Sequence, residues 1–292
     1  MNEIIYLNGS LIPANQARIS ALDYGFLYGL GLFETMRAYD GKVFRLDRHL
    51  SRLALSAKTL GLSTGTLDLR KAIMATLQVN KLSNARIRIT ISAGEGGMVP
   101  DPNSCAEPTV LIVAGYYQPY PEQTYEKGFR AILSSIRRNS QSLLSRIKSA
   151  NYLESILARQ EAKVAGVDEA LFLNERGLLA EASMSNVFLV TDSILRTPGP
   201  ESGILSGITR ETILELAPKL GIKTFEQDIL PDELFQAQEA FLTNSLIEVI
   251  PLTQVNRKSI ASGKPGPITQ KLLSTYRETV RAYPVLDTGM NE

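Results

Sequence analysis

Two hydrophobic periods alternate along the chain. Ile4 to Asn8 reads as a short apolar strand closed by Asn8-Gly9. Glu34–Tyr39 and Lys42–Arg45 flank Asp40-Gly41, a hairpin signal, because both turn residues tolerate positive φ. Leu46, Leu50, Leu53, Ala54, Ala57 and Leu60 fall at helical spacing, and Gly61 fits a helix C-cap. Leu67 to Val79 repeats that spacing. Arg86 to Ser92 alternates strictly and puts Ile87, Ile89 and Ile91 on one strand face. Thr109 to Ala114 is a continuous β-rich run, as expected of a more buried strand. Tyr116 to Gly128, with Pro119 and Pro121, reads as a linker.

A second unit follows. The pattern predicts a strand over Phe129 to Ile136 and a helix over Ser149 to Ala165 with Leu153, Ile156 and Leu157 inward. Strands are expected at Glu169–Leu173 and Val187–Val190 around the Glu175-Arg176-Gly177 turn. A helix over Thr209–Leu220 ends at Gly221, strands follow at Ala240–Thr243 and Leu246–Ile250, and a last helix covers Ile268–Tyr283. No regular βαβ rhythm runs through this order, so the expected class is α+β or mixed α/β in two domains. The boundaries are a small domain over 1–118, a linker over 119–128 and a larger domain over 129–292. The length of 292 residues agrees with two domains at about 150 residues each.

Composition narrows the chemistry. Lys plus Arg number 31 and Asp plus Glu 30, so charge gives no reason to expect nucleic acid or an anionic membrane as partner. No apolar run reaches the roughly 18 residues of a membrane-spanning helix. The opening residues lack the basic-then-apolar order of a signal peptide, and the expectation is a soluble, cytoplasmic protein. A single cysteine, Cys105, excludes an internal disulfide framework and any multi-cysteine metal site. One histidine, His49, argues against histidine zinc sites and imidazole-dependent triads, so no metal is expected. An enzyme built on this chain runs on Lys, Glu, Arg, Tyr and hydroxyl groups, or on a cofactor.

Three segments carry candidate chemistry. Lys148, beside apolar Ile147 at a strand–helix junction, fits a lysine desolvated enough to attack a carbonyl, and fits equally a solvated lysine near a helix start. Glu181 leads a loop of small residues into a buried strand. Such an anion suits a protonated heterocyclic nitrogen, and suits also a helix cap or a surface ion pair. Gly207, Ile208 and Thr209 open a helix whose free N–H groups and dipole form a phosphate cradle, or an ordinary capped helix. Arg52 is placed to add positive charge, and alone it reads as a surface residue. The loop Gly94-Glu95-Gly96-Gly97 lacks the strand–loop–helix context of a nucleotide site and reads as a flexible loop.

A lysine, a buried carboxylate and a phosphate cradle are the three demands of pyridoxal phosphate. Their order and spacing resemble the fold-type IV pyridoxal-phosphate enzymes, the class IV aminotransferases. That group includes branched-chain and D-amino acid aminotransferases, R-selective amine transaminases and 4-amino-4-deoxychorismate lyases. The resemblance runs through Glu181, Asn186-Val187-Phe188, Leu195-Arg196-Thr197 and Leu205-Ser206-Gly207-Ile208-Thr209-Arg210, and extends from Tyr6-Leu7-Asn8-Gly9 to Ile250-Pro251-Leu252. It implies a two-domain fold with the cofactor between the domains. Lys148 is then the Schiff-base lysine and proton shuttle, and Glu181 the partner of the pyridine nitrogen. Arg52, Gly207, Ile208, Thr209 and Ser245 hold the phosphate, Tyr152 the phenolate oxygen, and Leu205 packs on the ring face. Candidate substrate residues are Phe26, Tyr28, Thr35, Arg88, Asn244 and Leu246. His49 is read as structural. The resemblance also implies a homodimer acting on small amino and keto substrates.

The reaction within the family divides two ways. Phe33-Glu34-Thr35, Ile136-Arg137-Arg138-Asn139 and Thr243-Asn244-Ser245 look like aminodeoxychorismate lyases, which eliminate pyruvate and release 4-aminobenzoate. Lys148-Ser149-Ala150-Asn151-Tyr152 and Arg88 look like branched-chain transaminases. The Arg-x-His carboxylate trap of D-amino acid transaminases is missing from Gly94 to Asp101. The expectation is an aminotransferase passing an amino group from an amino acid or amine to a 2-keto acid, with the lyase as alternative.

Overall fold

The computed structural model describes residues 3–105 and 107–284, and these divide into two compact units. The first gathers the described residues up to Gln118, with Lys148–Asn151 and the residues from Val280 on; the second holds Pro119–Ile147 and Tyr152–Thr279.

In the first unit six strands form one antiparallel sheet. They are β1 (Ile4–Leu7), β2 (Ser10–Pro13), β3 (Gly31–Tyr39), β4 (Lys42–Val43), β5 (Ala85–Ser92) and β6 (Thr109–Tyr116), in the order β2-β1-β6-β5-β3-β4. The alternation read in β5 holds: Ile87, Ile89 and Ile91 are wholly buried, as period-two patterning demands of a half-covered sheet. Asp40 and Gly41 both take positive φ, at 49° and 79°, and join β3 to β4. Three helices accompany the sheet: α1 (Tyr24–Tyr28), α2 (Leu46–Leu60) and α3 (Leu69–Val79). The α2 helix stops at Gly61, left-handed at φ 65°, where a side chain would be strained. The Asp68 carboxylate accepts from Lys71 N and starts α3 two residues later than the periodicity suggests.

The second unit carries nine strands in a mixed sheet. These are β7 (Phe129–Arg138), β8 (Glu169–Asn174), β9 (Leu179–Ala182), β10 (Asn186–Thr191), β11 (Ile194–Thr197), β12 (Thr224–Glu226), β13 (Glu239–Asn244), β14 (Glu248–Val255) and β15 (Lys258–Ser259). The path is β12-β11-β10-β13-β14-β7-β8-β9, with β15 on β14. Its helices are α4 (Glu122–Lys127), α5 (Leu143–Arg146), α6 (Leu153–Val164), α7 (Ile208–Lys219), α8 (Glu233–Gln236) and most of α9 (Pro267–Arg281).

Four local readings are corrected. The segment read as a linker contains α4, whose Tyr125 is buried and donates from its hydroxyl to Ile247 O at 3.3 Å. The helix expected from Ser149 begins at Leu153, and its bulky face points outward: Leu153, Ile156 and Leu157 are 65%, 57% and 43% exposed. Its buried face is built from Ala158 and Ala162, which join Ala170, Phe172 and Ala180 in the core. Small residues let the helix approach the sheet closely, and this outweighs the pull on the larger side chains. Leu246 lies in a turn ahead of β14 rather than in a strand. The Gly94–Gly97 loop is held in place: Tyr24 N donates to Gly94 O at 2.9 Å, and the Tyr24 hydroxyl meets Gly97 O at 2.7 Å.

Candidate active site

Lys148 is anchored through its backbone to β3. Phe33 N donates to Lys148 O at 2.9 Å, and Ala150 N donates to Gly31 O at 2.8 Å. The side chain follows: Lys148 Nζ lies 4.5 Å from the centroid of the Phe33 ring. The Arg88 guanidinium carbon lies 3.8 Å from the same centroid. Thr35, two residues along β3, is the cross-strand partner of Arg88. Period two therefore collects Phe33, Thr35 and Arg88 on one sheet face, with the amine of Lys148 against it. Cation–π attraction orients both cations on the ring.

Glu34 falls between Phe33 and Thr35, and alternation sends it to the opposite face. It is wholly buried there, and α2 supplies its partners one helical turn apart. Arg52 donates to it from Nε at 2.7 Å and Nη2 at 2.6 Å, and His49 Nδ1 lies 2.8 Å from Oε2. Burial alone would raise the Glu34 carboxyl, but Arg52 and His49 outweigh it and bring it down to about 2. Burial pushes the His49 imidazole below its usual value in spite of Glu34. Arg52, expected on the surface or on a phosphate, is thus gripped by a buried carboxylate that fixes its guanidinium plane.

Phe26 and Tyr28 lie on α1, which Asp23 starts by accepting from Gly25 N. Phe26 is 78% exposed, and Tyr28 packs edge-on to Tyr24 at 4.9 Å. Gly29 ends the helix, and its carbonyl accepts from Asn151 Nδ2 at 2.9 Å, three residues after Lys148.

In the second unit, Glu181 sits on β9, a strand the pattern missed, and is buried. Arg138 of β7 donates from Nη2 to its Oε1 at 2.7 Å. Leu205 N donates to Oε2 at 3.0 Å, and Asn186 Nδ2 reaches Oε2 at 3.3 Å and Leu205 O at 2.8 Å. Tyr152 donates from its hydroxyl to Ser183 O at 3.2 Å; burial and the negative Glu181 push its phenol up to about 12, so it stays protonated.

The α7 helix opens at Gly207, an N-cap with no side-chain capping bond, and Ile208 and Thr209 are buried in the first turn. A Cβ at Gly207 would run into Asn186 Oδ1, so only glycine leaves Asn186 where it bridges Glu181 and Leu205. Asn244 holds the turn that contains Ser245: its Oδ1 accepts from Leu246 N at 2.8 Å and Ile247 N at 2.9 Å. Its Nδ2 donates to Met184 O and Ser185 Oγ, both at 3.1 Å, and ties the 183–185 loop to that turn.

Sequence patterning alone does not mark Phe33, Glu34, Arg138 or Asn186 as site residues. The strand period places Phe33 beside Thr35, and the Arg137-Arg138 pair at a strand end guarantees one arginine on each face. Among the described residues no group of three His, Cys, Asp or Glu side chains could hold a metal ion.

Residues 31–255 match the model of the amino-transferase class IV family. The branched-chain-amino-acid aminotransferase of Pseudomonas aeruginosa is 33% identical over 95% of this chain and 92% of its own. The aminodeoxychorismate lyase of Bacillus subtilis is 34% identical over 95% of both. A T.th. branched-chain amino acid aminotransferase, solved with pyridoxamine 5'-phosphate, superposes with a TM-score of 0.92 at 31% identity, covering 97% of this chain and 96% of that one.

Proposed function

The chain belongs to the class IV aminotransferase family and is a pyridoxal-phosphate-dependent aminotransferase, and on that premise we propose that it passes the amino group of a branched-chain L-amino acid to a 2-oxo acid. One observation carries the substrate class. The Lys148 amine and the Arg88 guanidinium share the face of Phe33, at 4.5 and 3.8 Å. An apolar surface beside a guanidinium fork suits a substrate with an apolar side chain and a carboxylate.

The residues present fit the cofactor. Glu181 is a buried carboxylate held by three donors, Gly207 leaves the start of α7 without a side-chain cap, and Thr209 is buried beside it. In this reading Nζ of Lys148 would hold the cofactor and, as a free amine once the substrate amine has taken its place, would accept the proton of the substrate α-carbon. Glu181 pairs with the pyridine nitrogen, and Tyr152 donates to the phenolate oxygen. The phosphate goes to Gly207, Ile208 and Thr209 at the helix N-terminus, with Ser245 and Arg52. Leu205 packs on the ring. Phe26, Tyr28, Thr35, Arg88, Asn244 and Leu246 line the substrate pocket. When bound, pyridoxal phosphate supplies the electron sink that acidifies the α-carbon.

The same reading makes the protein a homodimer. Leu153, Ile156 and Leu157 form an exposed apolar stripe on α6, and a second copy of the chain gives it a partner. The location is the cytoplasm, in keeping with a single cysteine that has no internal disulfide partner. Among the described residues no helix is long and apolar enough to cross a membrane.

Thr35 and Thr243-Asn244-Ser245 favour a lesser reading, pyruvate elimination from aminodeoxychorismate, and the Bacillus subtilis relative supports it. One pair of assays tests both. With L-leucine and 2-oxoglutarate the expected products are 4-methyl-2-oxopentanoate and L-glutamate. Turnover confined to aminodeoxychorismate, with release of pyruvate and 4-aminobenzoate, would replace the branched-chain reading with the lyase.

A further inference from the structure

Glu181 presents a physical difficulty. Its side chain is 6% exposed, and burial favours the neutral form of a carboxylic acid. A neutral Glu181 still makes hydrogen bonds, but it cannot offer the anion that a protonated heterocyclic nitrogen requires. Its two oxygens are served differently. Oε2 meets the neutral donors Leu205 N and Asn186 Nδ2, while Oε1 meets the cationic Nη2 of Arg138.

Arg138 is held from three sides. Its Nη2 is on Glu181, its Nη1 is 3.0 Å from Glu154 Oε2 of α6, and its guanidinium carbon lies 4.8 Å from the Phe172 ring centroid of β8. A planar fork donates to two carboxylates in fixed directions while stacking on an aromatic ring, a geometry that lysine's compact ammonium does not reproduce. Burial works against the charge on Arg138, but Glu181 and Glu154 together hold its proton more tightly than usual.

We propose that Arg138 is a positioning residue for the transamination, keeping the buried Glu181 carboxylate charged and aimed through the Nη2–Oε1 ion pair, with Glu154 and Phe172 fixing the guanidinium plane. The inference rests on the reading of Glu181 as partner of the cofactor's pyridine nitrogen. It adds that the electron sink depends on a residue that need not touch the cofactor.

The test uses the full chain and the variants R138M, R138Q, R138K, E154Q and E181Q. Infrared difference spectra of the cofactor-free protein against E181Q isolate the Glu181 band at neutral pH. A carboxylate band is expected in the wild type and a protonated carboxyl band in R138M. In the holoenzyme, R138M loses about 10- to 100-fold in kcat, the scale of a partner acting through another group, while KM for L-leucine moves little. R138K falls between, because a compact ammonium keeps the positive charge but lacks the planar fork that spans both carboxylates against the Phe172 ring. E154Q shows a smaller loss in the same direction. A charged Glu181 with wild-type kcat in R138M overturns the proposal; should R138M not fold, the same result in R138Q, which also removes the charge, overturns it. The E181Q holoenzyme separates the two readings. Near-normal turnover in E181Q removes Glu181 from its role, whereas a crippled E181Q beside an unimpaired R138M removes Arg138 alone.

Discussion

The ring of Phe33 and the amine of Lys148 lie 4.5 Å apart, and the backbones of the same two residues are joined by a 2.9 Å hydrogen bond. One residue of β3 therefore fixes both the main chain and the side chain of the lysine. The main-chain bond survives any substitution at position 148. Lys148→Ala is thus expected to fold with a stability change within about 1 kcal/mol, as for other changes that leave packing intact. It is also expected to lose the visible absorbance of bound pyridoxal phosphate and any borohydride-fixed cofactor. Absorbance spectra and peptide mapping check this, and a retained visible band would remove Lys148 from its role.

Acid stability follows from the Glu34–His49–Arg52 cluster. Glu34 falls from an ordinary 4.5 to about 2 on folding, so its contribution is complete above pH 4.5 and is lost as pH drops toward 2. A shift of that size corresponds to about 3 kcal/mol. His49, held neutral by burial, acts in the same direction: the unfolded chain takes up its proton first as pH falls below 6.5. Thermal melts from neutral pH downward should show progressive loss in the wild type. Glu34→Gln should be less stable at pH 7 by about 3 kcal/mol, with the gap closing toward pH 2. A gap that stays constant with pH would contradict this account.

Gly207 is constrained by its neighbour more than by its backbone, since its φ of −71° suits any residue. Gly207→Ala forces Cβ against Asn186 Oδ1 and disturbs the bridge to Glu181 and Leu205. The expected cost is about 1–3 kcal/mol of stability, the range for overpacking. Cofactor affinity should fall roughly tenfold, equivalent to about 1.4 kcal/mol. Titration of the apoprotein with pyridoxal phosphate measures it, and wild-type affinity would release Asn186 from the site.

The outward face of α6 predicts assembly. Replacing Leu153 and Ile156 by Asp puts two charges where the proposed partner copy packs, and should shift the protein to monomer in sedimentation velocity. Because both side chains are exposed in the single chain, the monomer should keep its far-UV spectrum. A wild type that is monomeric at high concentration would rule out the dimer.

Much of this was legible from contiguous residues. The alternation of β5, the Asp40-Gly41 turn and the Gly61 stop of α2 are local physics, and the structure repeats them. Lys148, Glu181 and the Gly207–Thr209 helix start each read alone as ordinary residues, and it is their combination and its resemblance to the class IV aminotransferases that singles them out. What escapes depends on pairing between distant segments. Phe33 matters because Lys148 and Arg88 meet on its ring, and Arg138 because β7 and β9 flank β8. Register of that kind is not written in any local stretch. The face of α6 misleads because bulky side chains look like core, while the sheet accepts Ala158 and Ala162 at closer range.

A half-reaction isolates the amino transfer from the rest of turnover. The holoenzyme is mixed with excess L-leucine, L-glutamate, D-alanine or R-1-phenylethylamine, each alone and without a keto acid, and the visible spectrum is recorded. L-leucine and L-glutamate are expected to convert the yellow cofactor band to that of pyridoxamine phosphate, while D-alanine and the amine leave it unchanged. A yellow protein that no donor bleaches would rule out transamination.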